Sequence, residues 1–183
     1  MATYESIQLK AKDSKPVAIR TAIENDAEDI LHVSKSVIGE EIYQLITSSE
    51  FSLTVADEKI WINSFLAKPL GILLVAECDG KVVGLLDFHI GHRQRISHVG
   101  DFAISILKDY RGIGIGTFLI RRLISWAQST GAIEKINLQV HSTNQQAIQA
   151  YLKFGFIVEG LRKKELKYGE GQYVDAVLMA RFI

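Results

Sequence analysis

The chain has 183 residues, 48% of them apolar, and 21 Lys+Arg are balanced by 21 Asp+Glu. That is enough apolar material for one substantial core in a single domain, and a net charge of zero excludes the global positive field that draws proteins onto nucleic acid or anionic membrane. The one cysteine, Cys78, lies in an apolar run and has no intrachain partner, which suits a reducing compartment. With no stretch resembling a signal peptide and no run of about 20 apolar residues, a soluble cytoplasmic protein is expected.

Residues 1–15 read as a polar leader. Val17 to Ile23 alternates as a strand does. Asn25 or Asp26 then offers a cap for a helix carrying Ala27, Ile30, Leu31 and Val33 at helical spacing. Ile38 to Phe51 is irregular, with Glu40, Glu41 and Tyr43, and suggests a mobile loop; Asp57 then opens a second helix bearing Ile60, Trp61, Phe65 and Leu66. Ile72 to Cys78 and Lys81 to Ile90 flank Asp79-Gly80, the pair that favours a type I′ hairpin turn. After a polar loop, Val99 to Leu107 reads as a further strand. Arg111 to Gly116 leads into a helix with Phe118, Leu119, Leu123 and Ile124 on its apolar face, ended by Gly131. A short strand (Lys135 to His141), a helix capped near Asn144 and a closing hairpin across Tyr168-Gly169-Glu170-Gly171 complete the chain. Without repeats or linker tracts, this order calls for a mixed sheet covered by helices on both faces.

The turn Arg111-Gly112-Ile113-Gly114-Ile115-Gly116-Thr117 joins a strand to a helix. Its glycines let a ligand approach the backbone, and helix-start amides favour a phosphate. Glycines that serve only close packing are the plain alternative. No Gly-Lys-Ser/Thr follows, which excludes a P-loop. The third glycine falls one place early for the dinucleotide fingerprint, and the next strand ends in Leu138-Gln139-Val140-His141 without the acid that holds a ribose.

What remains is Arg-x-x-Gly-x-Gly (Arg111, Gly114, Gly116), followed by Asn144-x-x-Ala147-x-x-x-Tyr151-x-x-x-Gly155-Phe156. In this order and context the two motifs resemble the GNAT superfamily of N-acetyltransferases. The resemblance implies an α/β (α+β) fold: a mixed, mostly antiparallel central sheet of six to seven strands flanked by about four helices. It also implies acetyl-coenzyme A as donor and a small-molecule or peptide amine as acceptor, such as an amino acid, a polyamine or a protein N-terminus. The backbone of Ile104, Ser105 and Ile106 is implied to pair with the pantetheine arm, and the amides of Gly112, Ile113, Gly114, Ile115, Gly116 and Thr117 to hold the pyrophosphate with Arg111 nearby. Asn144, otherwise a simple helix cap, is implied to contact the cofactor.

Acetyl transfer needs a neutral amine, a stabilised oxyanion and a proton for the departing thiolate. By the resemblance Tyr151 stands beside the sulfur as general acid, although a tyrosine on an apolar helix face is otherwise core. The general base is open, because Gln139 occupies the strand position where some relatives carry glutamate, and an amide cannot take a proton usefully. Asp101 is the first substitute, with Glu77, His89 or a water chain behind it. A non-catalytic acyl-coenzyme A sensor is the alternative that Gln139 suggests. Glu40, Glu41, Asp57 and Glu58 hint at attraction for a cationic amine. His89 and His92 lack companions for a metal site, so no metal is expected. The basic run from Arg162 to Lys167 reads as a solvated strand face, and membrane or nucleic-acid partners are not expected. The exposed edge of the closing hairpin leaves room for a homodimer.

Overall fold

Residues 5–183 are described by a computed structural model. In chain order the elements are β1 (Ile7–Lys10), β2 (Pro16–Thr21), α1 (Ala27–Ile38), α2 (Val55–Leu66), β3 (Ile72–Cys78) and β4 (Lys81–Ile90), followed by β5 (Val99–Ile106), α3 (Ile115–Thr130), β6 (Lys135–His141), α4 (Gln145–Lys153), β7 (Ile157–Gly169) and β8 (Gln172–Phe182). The strands form one sheet in the order β1-β2-β3-β4-β5-β6-β8-β7.

Three local expectations are revised. The stretch read as a polar leader contains β1, antiparallel to β2 with Ile7 opposite Ile19, while residues 1–4 lie outside the described part. Ile7 and Leu9 alternate with Gln8 and Lys10, and that alternation is enough to pack one face on the core. The sheet therefore has eight strands rather than six or seven. The cap of α2 is Thr54, not Asp57: the Thr54 hydroxyl accepts from the Asp57 amide, and the Asp57 carboxylate accepts from the Thr54 amide, a reciprocal capping box. Elsewhere local chemistry acts as expected. Asp79 and Gly80 both take positive φ (52° and 75°), as a type I′ turn requires, and Gly131 ends α3 with φ of 62°.

The central strands are apolar on both faces because helices cover both. Leu73, Val75 and Leu85 pack against Ile30 and Val33 of α1 and Ile62 and Phe65 of α2. Leu74, Leu86 and Phe88 meet Leu119, Leu123 and Trp126 of α3 and Tyr151 of α4 on the opposite side. Each fully buried Leu or Phe side chain contributes about 1.5–3 kcal/mol. At the margin of the cluster under α1 and α2, Arg20 forms ion pairs with Asp26 (2.6 Å) and Glu77 (2.7 Å), fixing β2, the start of α1 and β3 together.

Every strand pair is antiparallel except β5 and β6, which run parallel for three residue pairs only, Val99 to Lys135, Gly100 to Ile136 and Asp101 to Asn137. Beyond them the two strands part, so the backbone of β5 from Phe102 to Ile106 is bonded to β4 alone. At the hinge of this splay, a Cβ on Gly100 would stand 2.2 Å from Cζ of Phe88 and 2.5 Å from the His89 carbonyl oxygen. Gly100→Ala is expected to destabilise the fold by about 3 kcal/mol through overpacking, read as a lower urea midpoint at unchanged slope.

Candidate active site

The splay opens into a cleft of about 750 Å³. One wall is the freed side of β5, with Ile104, Ser105 and Ile106; the floor is the glycine turn, and the other wall is α4 with Asn144, Ala147 and Tyr151. The turn is shaped by backbone conformation. Gly112 and Gly114 have φ of 77° and 105°, where an L side chain is strained, although a Cβ would meet nothing at Gly112 and only the Phe118 ring, in ordinary contact at 3.8 Å, at Gly114. Gly116 acts by size, since a Cβ there would stand 3.3 Å from Cδ1 of Ile106, a tight approach that the Ile106 side chain would have to yield to. Helix α3 begins at Ile115, so the amides of its first turn have no carbonyl one turn back and present the positive end of a 16-residue helix to the cleft.

Ten of the twelve residues expected to hold a cofactor line this cleft: Ile104, Ser105, Ile106, Arg111, Gly112, Gly114, Gly116 and Thr117, with Asn144 and Tyr151 on α4. Ile113 and Ile115 do not, because their side chains turn into the core, Ile115 to 1% exposure. Ile113 instead accepts a hydrogen bond from the Lys12 amide at 2.9 Å, tying the turn to the segment after β1. Arg111 is committed to protein partners: its Nε donates to the Ile106 carbonyl (2.8 Å) and its two terminal nitrogens grip Glu40 (2.7 and 2.6 Å). That bidentate pair holds the Glu40 carboxyl below the usual carboxylate range, against the opposing effect of burial. Asn144 caps α4 by accepting from the Ala147 amide at 3.1 Å, and it also faces the cleft.

Tyr151 is 8% exposed and packs edge-on against Phe102. Burial pushes its pKa up to about 12, so the phenol keeps its proton across the physiological range. Asp101 is not brought to it. Its neighbour Phe102 points to the Tyr151 side, so alternation directs Asp101 to the face bearing α1 and α2, where it is exposed, stands opposite His89, and is absent from the cleft wall. The other substitutes are engaged too: Glu77 with Arg20, and His89 with Asp87 (3.1 Å) and the Phe65 ring. The acidic cluster read from sequence is dispersed. Glu40 binds Arg111, Asp57 caps α2, and Glu58 is turned inward at 2% exposure, its pKa raised by burial and by Asp57. Among the described residues no three metal-binding side chains gather.

Sequence reasoning missed a second group at the mouth of the splay. His141, the last residue of β6, is 6% exposed, has Tyr43 edge-on at 5.7 Å, and lies 3.0 Å through Nδ1 from the Tyr168 hydroxyl. Tyr168 also donates to the Ile42 carbonyl at 2.9 Å, and Ile42 and Tyr43 line the cleft. The available signal was parity, since His141 follows Gln139 by two and shares its strand face. Lys12 and Lys153 bring positive charge to the cleft; Lys12 carried no signal because it is remote from both motifs in sequence, and Lys153 because it occupies an unspecified position within the second.

A mixed sheet parted between two parallel strands, with a glycine turn feeding a helix at the opening, defines an acyl-donor-binding fold of the acetyltransferase type. Residues 39–156 match the family model described as Acetyltransferase (GNAT) family, and the chain belongs to that family, whose donor is acetyl-coenzyme A. It is 36% identical over 124 residues to the L-amino acid N-acetyltransferase AaaT of Escherichia coli K12, an alignment covering 68% of this chain and 76% of that one. It is 34% identical over 109 residues to the spermidine N(1)-acetyltransferase of the same strain, covering 59% and 56%. A crystal structure of a GNAT-family acetyltransferase from Streptococcus pneumoniae superposes with a TM-score of 0.87 at 30% identity, over 91% of this chain and 99% of that one. Among the described residues no helix is long and apolar enough to cross a membrane.

Burial lowers the His141 pKa below its ordinary value of 6.5. The unfolded chain therefore takes up this proton first, so the stability held above about pH 6.5 is lost as pH falls from there through the folded pKa. His141→Gln should flatten that part of a pH series of urea midpoints.

Proposed function

We propose that the chain, acting as one acetyltransferase domain, transfers the acetyl group of acetyl-coenzyme A to a primary amine by direct attack within a ternary complex. The observation that carries this reading is the protonated Tyr151 phenol on the cleft wall facing the freed edge of β5. In this reading the backbone of Ile104, Ser105 and Ile106 receives the pantetheine arm as an added strand, and the first-turn amides of α3 receive the pyrophosphate. Lys12 and Lys153 complement the remaining phosphate charge, and Asn144 contacts the donor beside its capping role. Tyr151 donates its proton to the thiolate as the carbon–sulfur bond breaks, which relieves the least stable charge of the reaction.

The acceptor is a small amine of the kind the relatives' names specify, an amino acid or a polyamine, or a protein N-terminus. The reading also places the protein in the cytoplasm, in keeping with its buried, unpaired Cys78. Exposed Ile157, Val158 and Leu161 on the outermost strand, β7, support a homodimer formed along that edge.

The test is release of free coenzyme A thiol in the presence of L-amino acids, spermidine or short peptides with free N-termini. Transfer to at least one class is expected, and indifference to all of them would sink the proposal. Tyr151→Phe keeps the ring packed on Phe102 and Phe156 while removing the proton, so kcat should fall about 100-fold with little change in acetyl-coenzyme A affinity.

A further inference from the structure

On the β6 face that Ile136, Leu138 and Val140 leave, alternation places Asn137, Gln139 and His141 in one row beside the splay. Gln139 is held by Arg162 at 3.3 Å. The other two each carry a buried atom with no hydrogen-bond partner, Oδ1 of Asn137 and Nε2 of His141. Neither residue lines the cleft itself, but the His141 ring lies against Tyr43 and is joined through Tyr168 to Ile42, both of which do. Two orphaned polar atoms on one face so placed mark where a polar ligand completes the bonding.

The hydrogen bonds also decide which imidazole nitrogen holds the proton. Tyr168 has one hydroxyl hydrogen and two partners. The Ile42 carbonyl at 2.9 Å can only accept, so Tyr168 gives it that hydrogen. The contact at 3.0 Å to His141 must then run the other way, with Nδ1–H donating to the phenol oxygen. In the neutral ring this leaves Nε2 with its lone pair.

We propose that His141 is the proton acceptor for the incoming amine, with Tyr168 as the positioning residue that fixes its tautomer. The inference rests on the acetyltransferase reading above and supplies the base that Gln139 and Asp101 do not. Nε2 takes one proton from the substrate ammonium. The freed nitrogen lone pair forms the bond to the thioester carbonyl carbon, the carbon–sulfur bond breaks, and the thiolate takes the Tyr151 proton. The proton shed by the nitrogen as it becomes an amide replaces the one Tyr151 gave up, and His141 returns its own to solvent, so one proton is released per turnover.

The ring's surroundings suit this work. Desolvation holds His141 neutral, and burial together with Tyr43 raises the Tyr168 pKa, so that phenol keeps the hydrogen it donates. The other charged groups nearby are satisfied elsewhere: Arg162 pairs with Glu165, and Asp175 of β8 is bound by Lys163 and the Lys164 amide.

Long-range proton–nitrogen spectra of the intact protein at pH 7.5 should show His141 as the Nδ1–H tautomer, shifting toward Nε2–H in Tyr168→Phe; an Nε2–H ring in the wild type overturns the proposal. With spermidine and L-amino acids as probe acceptors, His141→Gln should lower kcat near pH 7 by about 100-fold, the deficit shrinking as pH approaches the amine's own pKa. Tyr168→Phe, which removes no buried ring, should show a smaller loss of the same pH form. An unchanged rate and profile in His141→Gln, with acetyl-coenzyme A still bound, defeats this inference alone. A wild type that does not bind acetyl-coenzyme A in a parallel titration instead defeats the functional reading on which it stands.

Discussion

The parting of β5 from β6 after three residue pairs is the constraint on which the rest of the site depends. A sheet interior does not leave backbone groups unpaired without cost, and each unsatisfied group removed from water loses roughly 1–3 kcal/mol. The fold tolerates the opening because the exposed stretch of β5 faces a cleft, where water or an extended ligand can complete its bonding. Gly100 makes the hinge compact enough for Phe88 to close the core beneath it, and Gly116 lets α3 approach β5 so closely that its first-turn amides reach the same cleft. The splay, the glycine turn and the helix terminus thus together suit an extended anionic ligand.

The segment between α1 and α2 is fastened to this arrangement from two sides. Glu40 holds Arg111 of the glycine turn, and the Ile42 carbonyl accepts from Tyr168 near the end of β7. The first tie is a bidentate ion pair in partly exposed surroundings, whose net contribution is modest once solvent screening is counted. Its effect is geometric: it places Tyr43 and Gln44 along the cleft wall. The second tie ends on a buried histidine. The glycine turn and the His141–Tyr168 pair therefore share one segment whose position both ties set.

Much of this was legible from residue order. The hairpin at Asp79-Gly80, the helix after the glycine turn, the Gly131 stop and the Asn144 cap follow from local chemistry that acts within a few residues, and the structure keeps all of them. The first strand was hidden because four residues with only two apolar positions look like solvated leader until a neighbouring strand supplies the partner. The candidate donor site was readable because two motifs encode it contiguously. The acceptor side was not. Asp101 was favoured as base from its place in the chain, but which face a strand residue takes is settled by Phe102 packing on Tyr151, a contact 49 residues apart. His141 and Tyr168 meet across 27 residues and Glu40 and Arg111 across 71, so no periodicity could announce either pair.

The most direct test is calorimetric titration of the protein with acetyl-coenzyme A, set beside the variant Gly114→Trp, which places a large side chain at a φ of 105° in the mouth of the turn. The account predicts one site per chain in the wild type and none in the variant, with the variant otherwise folded by circular dichroism. Equal binding by both proteins would contradict it.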